Sequence, residues 1–190
     1  EPMAGSTKRV VQSIPIGPVI AAMDISNDGS LVALATENIR VLNLRTNEMR
    51  EYDVPEVYVH IAFSPDDKLL LLTTSTELKI LSLDSGSVIE LGETIEGGPR
   101  AEWIDTESIV YEDDTSLFER SLTTGISREV IELDSLALEY DADFPIMLPD
   151  GKTLMATGQT RNAPNWLGFW DLKSGELKNR IDVPAMRAQW

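Results

Sequence analysis

The chain has 190 residues, 42% of them apolar and 25% charged, with one histidine, no cysteine and a net charge of −16. That length supports one ordinary core. The lack of cysteine excludes disulfide staples and thiolate-ligated zinc or iron–sulfur centres, and no apolar run approaches the roughly 18 residues that span a bilayer.

The charge is concentrated in the middle of the chain, where residues 84–145 hold seventeen acids against three bases. Nucleic acid and anionic membrane surfaces are therefore poor partners, because the phosphate term that drives such binding would be repulsive. Taken in order, residues 1–7 read as a disordered tail, and 8–14 as a lone strand. A first unit over 19–53 carries strands near 19–25, 31–36, 39–44 and 49–53. The second unit, 57–92, is the clearest. An apolar run leads into the turn Ser64-Pro65-Asp66-Asp67-Lys68, then Leu69 to Thr73, a corner at 75–77, Leu78 to Leu83, the turn Asp84-Ser85-Gly86-Ser87 and a last run, Val88 to Leu91. Four short strands joined by three turns make an antiparallel meander.

A third unit over 100–133 has strands near 100–104, 109–112, 116–122 and 127–133. Residues 134–140 read as a loop. The fourth unit, 144–182, has strands near 144–148, 153–157, 166–172 and 177–182, and residues 185–190 match the opening strand of a fifth. Two turn families keep the same phase through all four units. The first is Ser26-Asn27-Asp28-Gly29, Ser64-Pro65-Asp66-Asp67, a degraded Asp105-Thr106-Glu107-Ser108, and Pro149-Asp150-Gly151-Lys152. The second places Asn47, Gly86, Gly125 and Gly175 where a hairpin needs a positive φ, at spacings of 39, 39 and 50 residues. A periodicity of this length is the mark of repeat architectures.

Four-stranded units of about forty residues, with S-P-D-G-K-like and D-x-x-S-G-like turns, resemble the blades of WD-repeat β-propellers. Trp170-Asp171 stands where that family's Trp-Asp pair ends the third strand; Leu42-Asn43, Leu81-Ser82 and Arg120-Ser121 stand there in the other units. The family's Gly-His is absent, so the resemblance is to a divergent propeller, closer to bacterial ones that lack the full motif. It implies an all-β fold over 8–190, a β-propeller of four-stranded antiparallel blades that is incomplete in this chain. Residues 8–14 and 185–190 would belong to a further blade, and the parent chain or another subunit would supply the remainder, six or seven blades in all. A closed four-bladed ring is the alternative.

No nucleophile elbow, P-loop or dinucleotide fingerprint occurs. His60 sits between Val59 and Ile61 in a first strand and reads as a packed structural side chain, so no catalytic residue, metal site or cofactor is expected. The acidic corners are the candidate contact surface: Glu112, Asp113 and Asp114 in unit three, with Asp141 and Asp143, and with Glu37, Asn38, Glu77, Glu93 and Glu96 on the same rim. They fit a basic protein or peptide, a hard cation, or simply solvated turns. The longest corner, 159–165, carries Arg161 and Asn162 and abuts Trp166, residue types suited to an interface. Trp103 and Trp170 fit packing between blades. The functional reading is a non-catalytic platform for a protein or peptide. The alternatives are a substrate-gating propeller of a larger prolyl-oligopeptidase-like hydrolase and an exported ligand-binding or sensor propeller.

Overall fold

A computed structural model describes residues 19–93, 101–113, 116–132, 140–160 and 163–182. Among them lie sixteen strands and no helix. The first sheet holds β1 (Ala22–Ile25), β2 (Leu31–Ala35), β3 (Ile39–Asn43) and β4 (Met49–Tyr52). The second holds β5 (His60–Phe63), β6 (Leu69–Thr73), β7 (Glu77–Ser82) and β8 (Val88–Glu93). The third holds β9 (Ala101–Trp103), β10 (Ser108–Asp113), β11 (Ser116–Ser121) and β12 (Ser127–Glu132). The fourth holds β13 (Tyr140–Met147), β14 (Thr153–Thr160), β15 (Ala163–Asp171) and β16 (Leu177–Asp182). Each is an antiparallel meander in chain order.

The recurring Ser-x-Asp turn has a local cause. Ser26 Oγ accepts the Leu31 amide at 2.8 Å and donates to Asp28 Oδ1 at 2.9 Å, and that carboxylate accepts the Ser30 amide at 2.8 Å. Ser64, Asp66, Lys68 and Leu69 repeat the pattern. Side chains thus satisfy the amides that the turn frees from the ladder. In the other turn family, Asn47 (φ 60°), Gly86 (73°), Gly125 (70°) and Gly175 (71°) all take the left-handed conformation that the sequence required of them.

Packing follows from the apolar pattern. A two-faced sheet in the middle of a row must be apolar on both faces, and Leu70, Leu71 and Leu72 of β6 are all wholly buried. Leu70 and Leu72 join Ala33, Ile39, Val41 and Tyr58 in the core between the first two sheets. Leu71 turns the other way and joins Ile80, Ala101, Trp103 and Ile109 between the second and third. Val110, Leu117 and Ile131 meet Leu154, Trp166 and Trp170 between the third and fourth. Four sheets therefore share three cores. β1 lies against β5, and β9 lies against β6 and β13, whereas no contact of comparable extent joins the first sheet to the fourth among the described residues. The result is an open arc of β-propeller blades.

Two sequence expectations change. The fourth sheet is taller than the others, because β14 runs to Thr160 and β15 begins at Ala163, with Thr160 opposite Ala163. The anticipated long corner over 159–165 is thus mostly a continuation of the hairpin. β13 likewise begins at Tyr140, so Asp141 and Asp143 belong to a strand and not to a loop. The expected strands over 8–14 and 185–190, the tail over 1–7 and the loop over 134–139 lie outside the described residues.

Candidate functional site in the axial cavity

The first strands of the four sheets surround a cavity of about 540 Å³. Among the described residues, its titratable side chains come from three sheets: Asp24 of β1, His60 of β5 and Glu102 of β9. Backbone register explains the juxtaposition. Ser26 N, Ser64 N and Ile104 N donate across their turns to the carbonyls of Leu31, Leu69 and Ser108. Counting back two residues from each donor puts Asp24, Ala62 and Glu102 at one level. The degraded third turn is one residue shorter than the others, which brings Glu102 into line with Asp24.

Hydrogen bonds across the seams fix these strands. Asp24 Oδ2 accepts the Phe63 amide at 2.8 Å, and the Trp103 indole donates to the Ala62 carbonyl at 3.0 Å from a buried position. At the turn end, Asp67 accepts the Asn27 amide at 2.7 Å, the Asn27 side chain at 3.0 Å and the Asp28 amide at 3.1 Å. Asn27 also donates its side-chain amide to the Ser64 carbonyl at 3.0 Å.

His60 Nε2 lies 3.6 Å from Glu102 Oε1, too far for a good hydrogen bond, and His60 Nδ1 is buried with no partner. Burial pushes the Glu102 carboxyl up to about 7, and the nearby Asp24 charge adds to the shift. Burial lowers the His60 imidazole, with Asp24 opposing. Both effects disfavour a charged His60–Glu102 pair. Among the described residues no lysine or arginine lines the cavity; the rest of its wall includes Met23, Asn27, Ile104 and Met147. Among the described residues, no three His, Asp or Glu side chains converge as a metal-ligating group.

The corner end of the sheets is the opposite end. Glu37 is exposed there. Glu77 contacts the ammonium of Lys79 at 2.8 Å, and Glu56 meets the same ammonium at 2.5 Å. Lys79 is only 6% exposed, and the two carboxylates hold its pKa above the ordinary lysine value. Glu112 is half-buried near the end of β10. Asp113 follows it in that strand, while Asp114, Arg161 and Asn162 lie outside the described residues. Trp166 is 3% exposed, with Arg180 over its ring at 4.7 Å, so its indole belongs to the core and not to a free rim. Sequence reasoning singled out His60 but missed Asp24 and Glu102 beside it. Their acidic side chains in otherwise apolar first strands were the available signal.

No known family profile and no curated protein matches the sequence. Solved structures do. Hydrazine synthase of Kuenenia stuttgartiensis superposes with a TM-score of 0.67 at 17% identity, over 94% of this chain and 53% of that one. TolB from Acinetobacter baumannii gives 0.66 at 16% identity, over 87% and 44%. The Cps50 (Swd1) β-propeller domain of Myceliophteria thermophila gives 0.72 at 11% identity, over 92% and 58%. The chain thus spans about half the length of these solved chains. At such identities the likeness establishes the fold alone: an all-β, four-bladed portion of a β-propeller.

Proposed function

We propose that the protein is a non-catalytic, WD-repeat-like β-propeller that serves as an interaction platform, its acidic corner end receiving a basic protein or peptide. Further blades, from the parent chain or another subunit, complete the ring. One observation carries the reading: all four sheets have the same strand order, with their corners at one end. Acids far apart in sequence, from Glu37 to Glu112, are thereby gathered onto a single end of a protein with a net charge of −16. Such a surface raises the encounter rate of a cationic partner in a salt-dependent way. Titration with a lysine-rich peptide, at low and physiological salt, tests it. Replacing Glu112, Asp113 and Asp114 together with lysine lowers the association rate, most steeply at low salt. Binding that is indifferent to the triple replacement overturns the corner-end assignment.

A further inference from the structure

The cavity at the axis opens a second possibility, at the end away from those corners. We propose that it binds an alkylguanidinium or alkylammonium group, with Asp24 and Glu102 facing the charge and Met23, Ile104 and Met147 beside the carbon chain.

Three features point to such a ligand. Among the described residues the cavity contains two carboxylates from different sheets at one level and no basic side chain to neutralise them. Glu102 is about two-thirds buried, with a side-chain exposure of 32%, and a half-desolvated carboxylate gains strongly from a counter-charge that brings its own hydrogen-bond donors. Its nearest polar neighbour, His60, does not supply that charge. The imidazole stands 3.6 Å away with its other nitrogen buried and unpartnered. A ligand donor would have both carboxylates and that nitrogen as acceptors.

Size and lining select the rest of the ligand. About 540 Å³ falls in the range of small-molecule pockets. Met23 is well exposed, and Met23, Ile104 and Met147 on the wall give a short aliphatic strip beside the carboxylates, which suits a chain of several methylenes better than a bare ammonium ion. An arginine or lysine side chain and a free alkyl amine share this chemistry, and the experiment separates them.

Isothermal titration of the folded chain with n-butylguanidinium, and separately with a blocked tripeptide carrying a central arginine, gives the two arms. Saturable binding of butylguanidinium with exclusion of the tripeptide identifies a free small cation as the ligand; tighter binding of the tripeptide identifies a side chain presented by a partner. Glu102→Gln and Asp24→Asn each weaken binding by about tenfold or more. Asp24→Asn retains an oxygen to accept the Phe63 amide, so the strand seam survives. Repeating the wild-type titration near pH 6.5 in two buffers of different ionisation enthalpy gives a measure independent of any variant. A cation placed against Glu102 expels its proton, in surroundings where Asp24 and His60 are the other titratable groups among the described residues, and the apparent enthalpy then depends on the buffer. Absence of binding by both probes at millimolar concentration overturns the proposal. So does binding that survives both substitutions, or binding without proton release.

Discussion

Arg50 and Arg128 occupy the same register position in the outer strands of the first and third sheets, opposite Val41 and Glu119. Each donates to the carbonyl of the leucine that leads the following sheet into its last turn. Arg50 reaches Leu83 O at 2.6 Å and Asp84 O at 3.1 Å, and Arg128 reaches Leu172 O at 3.3 Å. The Tyr52 hydroxyl reinforces the first of these seams by donating to Leu83 O at 2.6 Å.

The second sheet breaks the pattern. Ile89 stands at the equivalent position, opposite Ile80, and is 60% exposed. Beside it a cavity of about 180 Å³, bordered by Leu91 and Leu122, opens into the seam with the third sheet. Arg50→Ala should lower the unfolding free energy by about 1 kcal/mol, the usual net value of such a hydrogen bond. Ile89→Arg, which supplies the missing donor, should raise it by about 0.5–1 kcal/mol. Urea denaturation measures both, and a loss of stability in Ile89→Arg removes the equivalence.

Asp67 occupies a left-handed position (φ 59°) where the corresponding turns of the first and fourth units use Gly29 and Gly151. Glycine fits that backbone better by about 1 kcal/mol. The aspartate nevertheless accepts hydrogen bonds from two amides and one side chain of the neighbouring sheet, and hydrogen bonds to a carboxylate exceed the neutral kind. Asp67→Gly should therefore destabilise by about 1–2 kcal/mol despite its easier backbone. A more stable Asp67→Gly protein would mean that the seam bonds contribute less than the strain.

Gly168 is needed for space. Its φ is not in the left-handed range, yet a Cβ there would lie 2.1 Å from the Trp170 ring and 2.6 Å from the Trp166 ring. The two indoles, 5.7 Å apart between centroids, close over the bare backbone. Gly168→Ala should cost about 1–3 kcal/mol, the range for overpacking a filled core. A fall in the indole fluorescence midpoint on thermal unfolding would report it; an unchanged midpoint would show that the rings move aside freely.

The axial carboxyl makes stability depend on pH with a definite sign. Unfolded, Glu102 loses its proton near its ordinary value of 4.5, whereas folded it holds the proton to about 7. Between those values the folded state binds more protons, so this group's contribution falls as pH rises from about 4.5 to 7. His60, lowered by burial, acts in the opposite sense, contributing more as pH rises through its own window. Among the described residues Asp24 is the remaining acid facing both. Glu102→Gln should abolish the falling contribution, so its stability relative to wild type should climb between pH 5 and pH 7.5. A constant difference across that interval would sink the assignment.

The repeated turns and the leucine run of β6 were legible because their causes are local. A positive φ asks for Gly86 or Gly125, a Ser-x-Asp pair closes its own turn, and a strand covered on both faces is apolar throughout. The tall hairpin of the fourth sheet was not legible. Gln159, Thr160, Asn162, Pro164 and Asn165 have the composition of a loop, and only pairing across the hairpin carries the strands through most of them. The axial pair was hidden for another reason: a turn shortened by one residue slides Glu102 into line with Asp24, and a sequence read one unit at a time conceals that shift. Asp67 read as a turn variant because its partners lie a whole unit earlier.

Because, among the described residues, each sheet makes its extensive contacts with its neighbours, cohesion in this molecule is graded along the row. β6 is clothed on both sides, whereas all six residues of β16 are exposed. Amide protons of the second sheet should accordingly exchange last and those of β16 early, with protection lost from the flanks toward the middle and not in one concerted collapse. Whatever docks against the flanking sheets would then set the lifetime of the whole.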